Sequence, residues 1–246
     1  MIFRRQAKAE PATDQPALQS ASPASSDGFA DRRPPVDQWE ALDRSQDWRQ
    51  DGPFDITEVD LGADDIGRLD LGALIVTPEP DLKVQIVLDP KTKTAASLIV
   101  VGPPGSLQVQ VLAAPDDPGF AAEQRERLLA EAEAAEAPLE LVAGPFGTEL
   151  RGLSAVVETG GAAVGQPVRQ WLIAGPRWLL SARLSGRAAL DLLDAGPAGE
   201  LEEVLRNLVV RRGDVALVPG TPVPLRPPGQ PDQPDQPGRP GRSGRP

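Results

Sequence analysis

The middle of the chain alternates between apolar and polar residues in short runs. In DLKVQIVLD, Leu82, Val84, Ile86 and Leu88 fall on one side and Lys83 and Gln85 on the other. That period of two marks a strand with one buried face. DPKT (Asp89–Thr92) follows with proline where a type I turn favours it, then AASLIVV as a second strand and GPPG as a second turn. SLQVQVLAA alternates again, turning Leu107, Val109, Val111 and Ala113 inward, and RLDLGALIV (Arg68–Val76) reads as a strand ahead of this meander.

At Asp116 the period changes. DDPGFAAEQRERLLAEAEAAEA, residues 116–137, predicts a helix capped by Asp117, with Pro118 in its first turn and Glu123 and Arg127 spaced to pair. Its apolar stripe of Leu128, Leu129 and Ala132 is narrow, which leaves one side in solvent. Four more strands follow in LELVAG, TELRGLSAVVE, QPVRQWLIA and RWLLSARLS. A last helix is expected over 196–214, where Leu201, Val204, Leu205 and Leu208 recur at helical spacing and Arg211, Arg212 and Gly213 close the segment.

Strands, helix, strands, helix, with the strands joined by tight turns, predicts an α+β domain of antiparallel sheet covered by helices. The favoured arrangement is a three-layer sandwich with the Mog1/PsbP-like topology; the alternative is two ferredoxin-like halves. The domain should span 51–218. Residues 1–50 are expected to be mostly disordered, being rich in Ala, Pro, Ser, Gln and charge. Residues 219–246, with 10 prolines, are expected to form a disordered tail.

The stretch QWLIAGPRWLLSARLSG (Gln170–Gly186) holds two of the four tryptophans among arginines, a mixture that fits either a binding site or a hairpin. Pro176 suits the second position of a turn over 175–178, which pairs 173 with 180 and 171 with 182; a register shifted by one step pairs 174 with 177. Both registers put odd positions before the turn on the same face as even positions after it. Trp171, Ile173, Trp178, Leu180, Ala182 and Leu184 therefore share an apolar face, and the tryptophans are expected to be core anchors. Val168, Gln170, Leu172, Arg177, Leu179, Ser181 and Arg183 share the other.

Composition narrows the chemistry. The chain of 246 residues has no cysteine, histidine or tyrosine, which excludes disulfides, thiolate and histidine catalysis, Cys or His metal sites and phenolic acids. No catalytic, cofactor-binding or metal-binding motif is present, and any enzyme would have to work with carboxylates, hydroxyls, Lys and Arg. Asp55, Glu58, Asp60, Asp64, Asp65 and Asp70 lack the spacing of a calcium loop and read as a solvated acidic segment. The net charge of −11 disfavours general binding to nucleic acid. The N-terminus has basic residues without the apolar run of a secretory signal, and no window is apolar enough to span a membrane, so the expected compartment is the cytoplasm.

Two surfaces remain as candidates for a ligand or partner. Gln170, Arg177, Ser181 and Arg183, on the mixed face of the hairpin, could hold a small anion or carboxylate. Trp39 and Trp48, in the polar segment PVDQWEALDRSQDWRQ, need something to bury them, either this domain or a partner.

The segments DGPFDITEVD, RLDLGALIV, LQVQVLAAP, GPFGTELRG, QPVRQWLIAGPRWLLSARLSG and LVVRRGD together resemble an uncharacterised actinobacterial family, a domain of unknown function, over about residues 51–226. The resemblance implies a cytoplasmic protein with variable tails and supplies no site residues. The leading expectation is a non-catalytic protein-interaction or adaptor domain. The alternative is a small anionic-ligand-binding domain, with a carboxylate-only enzyme third.

Overall fold

Strands from both halves of the chain meet in one sheet. The computed structural model describes residues 37–90, 92–103, 105–117, 119–154, 157–159, 162–190 and 197–227. Of the expected tails, 1–50 and 219–246, residues 1–36 and 228–246 lie outside them. In chain order the strands are β1 (Phe54–Asp55), β2 (Leu69–Asp70), β3 (Leu74–Val76), β4 (Lys83–Leu88), β5 (Ala95–Gly102), β6 (Gly105–Ala113), β7 (Leu139–Gly144), β8 (Gly147–Leu153), β9 (Val157–Thr159), β10 (Ala162–Val164), β11 (Pro167–Gly175), β12 (Trp178–Gly186) and β13 (Val209–Val210). The helices are α1 (Gln38–Asp43), α2 (Phe120–Ala134) and α3 (Pro197–Arg206), with a 3-10 turn at Arg187–Leu190.

Seven strands form the main sheet in the order β4-β5-β6-β12-β11-β8-β7, antiparallel throughout. The joint between the halves is β6 against β12, nine paired residues from Trp178↔Ala113 to Gly186↔Gly105. This continuity replaces the alternative of two ferredoxin-like halves. A small sheet, β1-β13-β3-β2, lies apart from the main one; β1 and β13 run parallel in it.

One face of the main sheet is the core face. Leu98, Val109, Val111, Trp171, Trp178, Leu180 and Leu184 pack there against Leu74 and Val210 of the small sheet and Leu201, Val204 and Leu205 of α3. On the opposite face α2 seats Phe120 and Ala121 over Leu179, with Leu112 and Leu172 beside them. The result is three layers, α2 over the sheet and the sheet over α3 with the small sheet.

The hairpin adopts the register set by Pro176: Gly175↔Trp178, Ile173↔Leu180 and Trp171↔Ala182. Trp171 and Trp178 are both fully buried. Gly175 makes this possible, because a Cβ there would lie 2.1 Å from the Trp178 ring.

Several expectations change. RLDLGALIV is two short strands, paired Leu69↔Val76 and Asp70↔Ile75 around a turn with Gly72 at φ 78°. Helix α2 starts at Phe120, not at an Asp117 cap; Gly119 is the N-cap, and it makes no side-chain bond. Asp117 instead accepts from the Gly119 amide at 2.8 Å. The helix buries Phe120, Ala121, Gln124 and Arg125 rather than a Leu128–Ala132 stripe. Leu201, Val204, Leu205 and Leu208 are buried as expected, but α3 stops at Arg206 because Val209 and Val210 pair with β3 as a strand. Leu88 is exposed, turned out by a register shift after Val87.

Described structure continues beyond 51–218 at both ends. Residues 37–50 carry α1 and its following turns. Downstream, Val223 and Leu225 are buried, with Val223 N donating to Val111 O and Leu225 N to Ala95 O. No helix among the described residues is long and apolar enough to cross a membrane.

Candidate functional site

The sheet face that carries α2 is only half covered. Helix α2 lies over β11 and β7, and its apolar contacts extend to Leu179 and Leu112. Over β4, β5 and the first part of β6, no apolar cluster covers this face among the described residues. By the alternation of the strands, this half-face carries Lys83, Gln85, Val87, Ser97, Ile99, Val101, Ser106, Gln108, Gln110, Ser181, Arg183 and Ser185, of which Ser97 is buried beneath its neighbours. Gln85 and Gln108 are exposed, and Ser181, Arg183 and Ser185 half-buried.

Arg183 is the half-buried cation of this surface; Lys83, on the edge strand, is exposed. Gln108 stands opposite it on β6 and Gln170 on β11; Ser181 and Ser185 flank it along β12. The glutamines point their amides elsewhere. Gln108 Nε2 donates to Ser97 Oγ at 3.1 Å, and Gln170 Nε2 to Ser181 Oγ at 3.2 Å. Ser185 Oγ and Ser106 Oγ share a bond of 3.1 Å. No residue across from Arg183 or beside it on its strand is acidic. Burial pushes its guanidinium below the ordinary arginine value, and no carboxylate offsets this.

The structure brings Gln170, Ser181 and Arg183 together and leaves the other expected residues out. Arg177 occupies the hairpin tip, exposed and left-handed at φ 59°. Six residues of strand, about 20 Å, separate it from Arg183, so one small ligand cannot bridge the two. Trp39 and Trp48 are half-buried against their own domain. Asp43, at the end of α1, accepts from Thr148 N and from Arg125 Nη1, both at 2.7 Å. Thr148 Oγ1 donates to Trp39 O at 3.2 Å, and Trp48 Nε1 to Leu42 O at 3.0 Å. Trp48 also lines an open cleft of about 300 Å³ with Phe146, Leu172 and Ala121. Both tryptophans thus rest on their own domain and keep part of their surface exposed.

The strongest ionic cluster escaped the sequence reading. Glu149 is fully buried on the core face. It accepts from Arg169 Nε at 2.7 Å, Arg169 Nη2 at 3.0 Å, Trp171 Nε1 at 3.0 Å and Arg151 Nε. Arg169 Nη1 donates to Glu202 of α3 at 2.6 Å, and its guanidinium lies 4.9 Å from the centre of the Trp171 ring. Burial opposes the charge of Glu149, but Arg169 and Arg151 outweigh it and hold the carboxyl below its ordinary range. For Glu202 burial wins, and its carboxyl is raised. The only available signal was parity: Arg169 is an odd position and shares the Trp171 face. Every group in the cluster is engaged inside the protein, which makes it a pin between sheet and α3.

Four of the six carboxylates in the acidic segment meet a tryptophan or arginine side chain. Asp55 accepts from Trp178 Nε1 at 2.7 Å, Glu58 pairs with Arg49, Asp64 with Arg68 and Asp70 with Arg211. Among the described residues no group of three such side chains is placed to hold a metal ion.

Fold and site together define an α+β domain whose one half-open sheet face is polar and centred on an arginine. The chain belongs to the family described as protein of unknown function DUF3710, whose model matches residues 52–234. No curated protein matches it. Two solved structures are similar at a TM-score of 0.35. One is a crystal structure from Bacteroides thetaiotaomicron VPI-5482, 14% identical, covering 59% of this chain and 49% of its own, so that the chain spans about half its length. The other is the solution structure of cyanobacterial PsbP (CyanoP) from Synechocystis sp. PCC 6803, 12% identical, covering 62% of this chain and 98% of its own. Likeness at that level says nothing of function.

Proposed function

We propose that this chain is a non-catalytic recognition domain of the cytoplasm that engages a protein partner through the open half of its main sheet. The single observation behind this reading is that half-face, several strands wide, where serines, glutamines, Lys83 and Arg183 surround Val87, Ile99 and Val101 and no element covers them among the described residues. Its serines and its partly exposed valine and isoleucine positions leave room for another surface to approach. The absence of His, Cys and Tyr from the sequence and the internal pairing of Glu149, Asp55 and Glu58 support binding over catalysis.

Site-specific photo-crosslinking tests the reading. A photoreactive residue at Gln108 should give one discrete crosslinked species in native cells. The same residue at exposed Glu131, on the solvent side of α2, should give none. Equal yields at both positions, or none at either, would overturn the proposal.

A further inference from the structure

We infer that Arg183 is a carboxylate-binding site, with the Ser181 hydroxyl as its second donor. This rests on the reading of the open half-face as the recognition surface and names what that surface holds.

In a chain with 36 acidic residues against 25 basic ones, an arginine set into the sheet normally finds a carboxylate. Three of the described arginines with few solvent contacts do so: Arg169 with Glu149 and Glu202, Arg125 with Asp43, Arg49 with Glu58; Arg212, buried off the sheet, meets only the Val215 carbonyl. The Arg183 guanidinium has no hydrogen bond or ion pair to any described residue. Its direct neighbours across the strands are Gln108 and Gln170, and both turn their donor nitrogens to serines instead. The serine beside Arg183 is thereby primed. Ser181 Oγ accepts from Gln170 Nε2, so its own proton remains free to donate outward. A guanidinium fork plus one hydroxyl proton is a donor set for a planar carboxylate.

Charge selects among anions. A phosphate dianion would meet one guanidinium within a protein of net charge −11. A carboxylate brings one negative charge and matches the fork two oxygens to two N–H groups. The carboxylate can be a free small acid or an Asp or Glu side chain on the partner.

NMR on the full chain decides, following the Arg183 Nε–H and the Gln108 and Gln170 side-chain amides at constant ionic strength. The probes are acetate, a Gly-Glu-Gly peptide blocked at both ends, and inorganic phosphate. Acetate and the peptide should each shift these resonances to saturation in the millimolar range expected of a single bidentate contact. Tighter binding of the peptide assigns the site to a protein side chain; tighter binding of acetate assigns it to a free acid. Arg183→Gln should abolish the saturable shift, and Arg183→Lys should weaken it about tenfold because an ammonium cannot present the fork. Unchanged dispersion elsewhere in the spectrum shows that both variants fold. No saturable shift, an equal shift in Arg183→Gln, or phosphate saturating first would overturn the inference. Crosslinking at Gln108 with a failed titration leaves the recognition surface standing and removes the carboxylate site. Failure of both removes the surface as well.

Discussion

Glu149 shows how much one residue can hold. Four N–H donors from three residues converge on its carboxylate inside the core, and one of those residues, Arg169, carries the link onward to Glu202 on α3. Glu149→Gln leaves a buried guanidinium short of its counter-charge, and urea unfolding at neutral pH should show a loss of about 3–5 kcal/mol. The pH dependence has a definite sign. Glu149 and Asp55 are held below their ordinary values of 4.5 and 3.8, both against a burial effect of opposite sign. Their contribution is therefore complete above the unfolded values and is lost as pH falls through the lower folded ones. Glu202, raised by burial, acts in the opposite sense, and its penalty is relieved as pH falls through its folded value. Stability measured against pH should drop steeply below about pH 4.5 in the wild type, and less steeply in Glu149→Gln. Gly175→Ala is the second residue-scale prediction. A Cβ 2.1 Å from the Trp178 ring must displace it, so the variant should lose about 1–3 kcal/mol and shift the tryptophan emission.

Among the elements, α1 and its turns form a strap held chiefly by one carboxylate. Asp43 takes the Thr148 amide and so occupies the ladder position where β8 stops pairing with β11, whose last shared pair is Trp171↔Glu149. The same carboxylate answers Arg125, which is almost fully buried. Asp43→Ala should free the strap while leaving the sheet intact. The Thr148 amide should then exchange about tenfold faster or more, and trypsin should reach Arg44 and Arg49 sooner. Unchanged exchange at Thr148 would show that the strap is held by other contacts.

Element-scale features were legible in the sequence to very different degrees. The β11–β12 hairpin could be read because proline fixes a turn and period-two alternation then assigns every face. The stripe of Leu201, Val204, Leu205 and Leu208 could be read because four leucine and valine side chains at helical spacing have one use. The seat of α2 could not: its sequence is mostly Ala, Glu and Arg, and the helix packs through its N-terminal Phe120 and through Gln124 and Arg125, which carry no apolar signal. The strap and the small sheet rest on pairings between distant segments, such as Asp43 with Thr148 and Val209 with Ile75; no local pattern announces them. Of the site, Gln170, Ser181 and Arg183 followed from parity. Gln108 and the lack of an acid near Arg183 depended on β12 lying beside β6, which sequence alone did not reveal.

At the scale of the whole molecule, a single antiparallel sheet separates two environments. One face is a dry core locked by tryptophans and the Glu149 cluster. The other is helix-covered on one side and open and polar on the other. The central claim is that the open half is the surface the protein uses, and the absence of native cysteine makes a clean test available. Gln108→Cys and, as control, Glu131→Cys each give a chain with one thiol. The decisive measurement is the rate of maleimide labelling of each, in the purified protein and in native cell extract. Both thiols should label rapidly when pure, and in extract only the one at position 108 should be protected. Equal labelling of the two thiols in extract would contradict the claim.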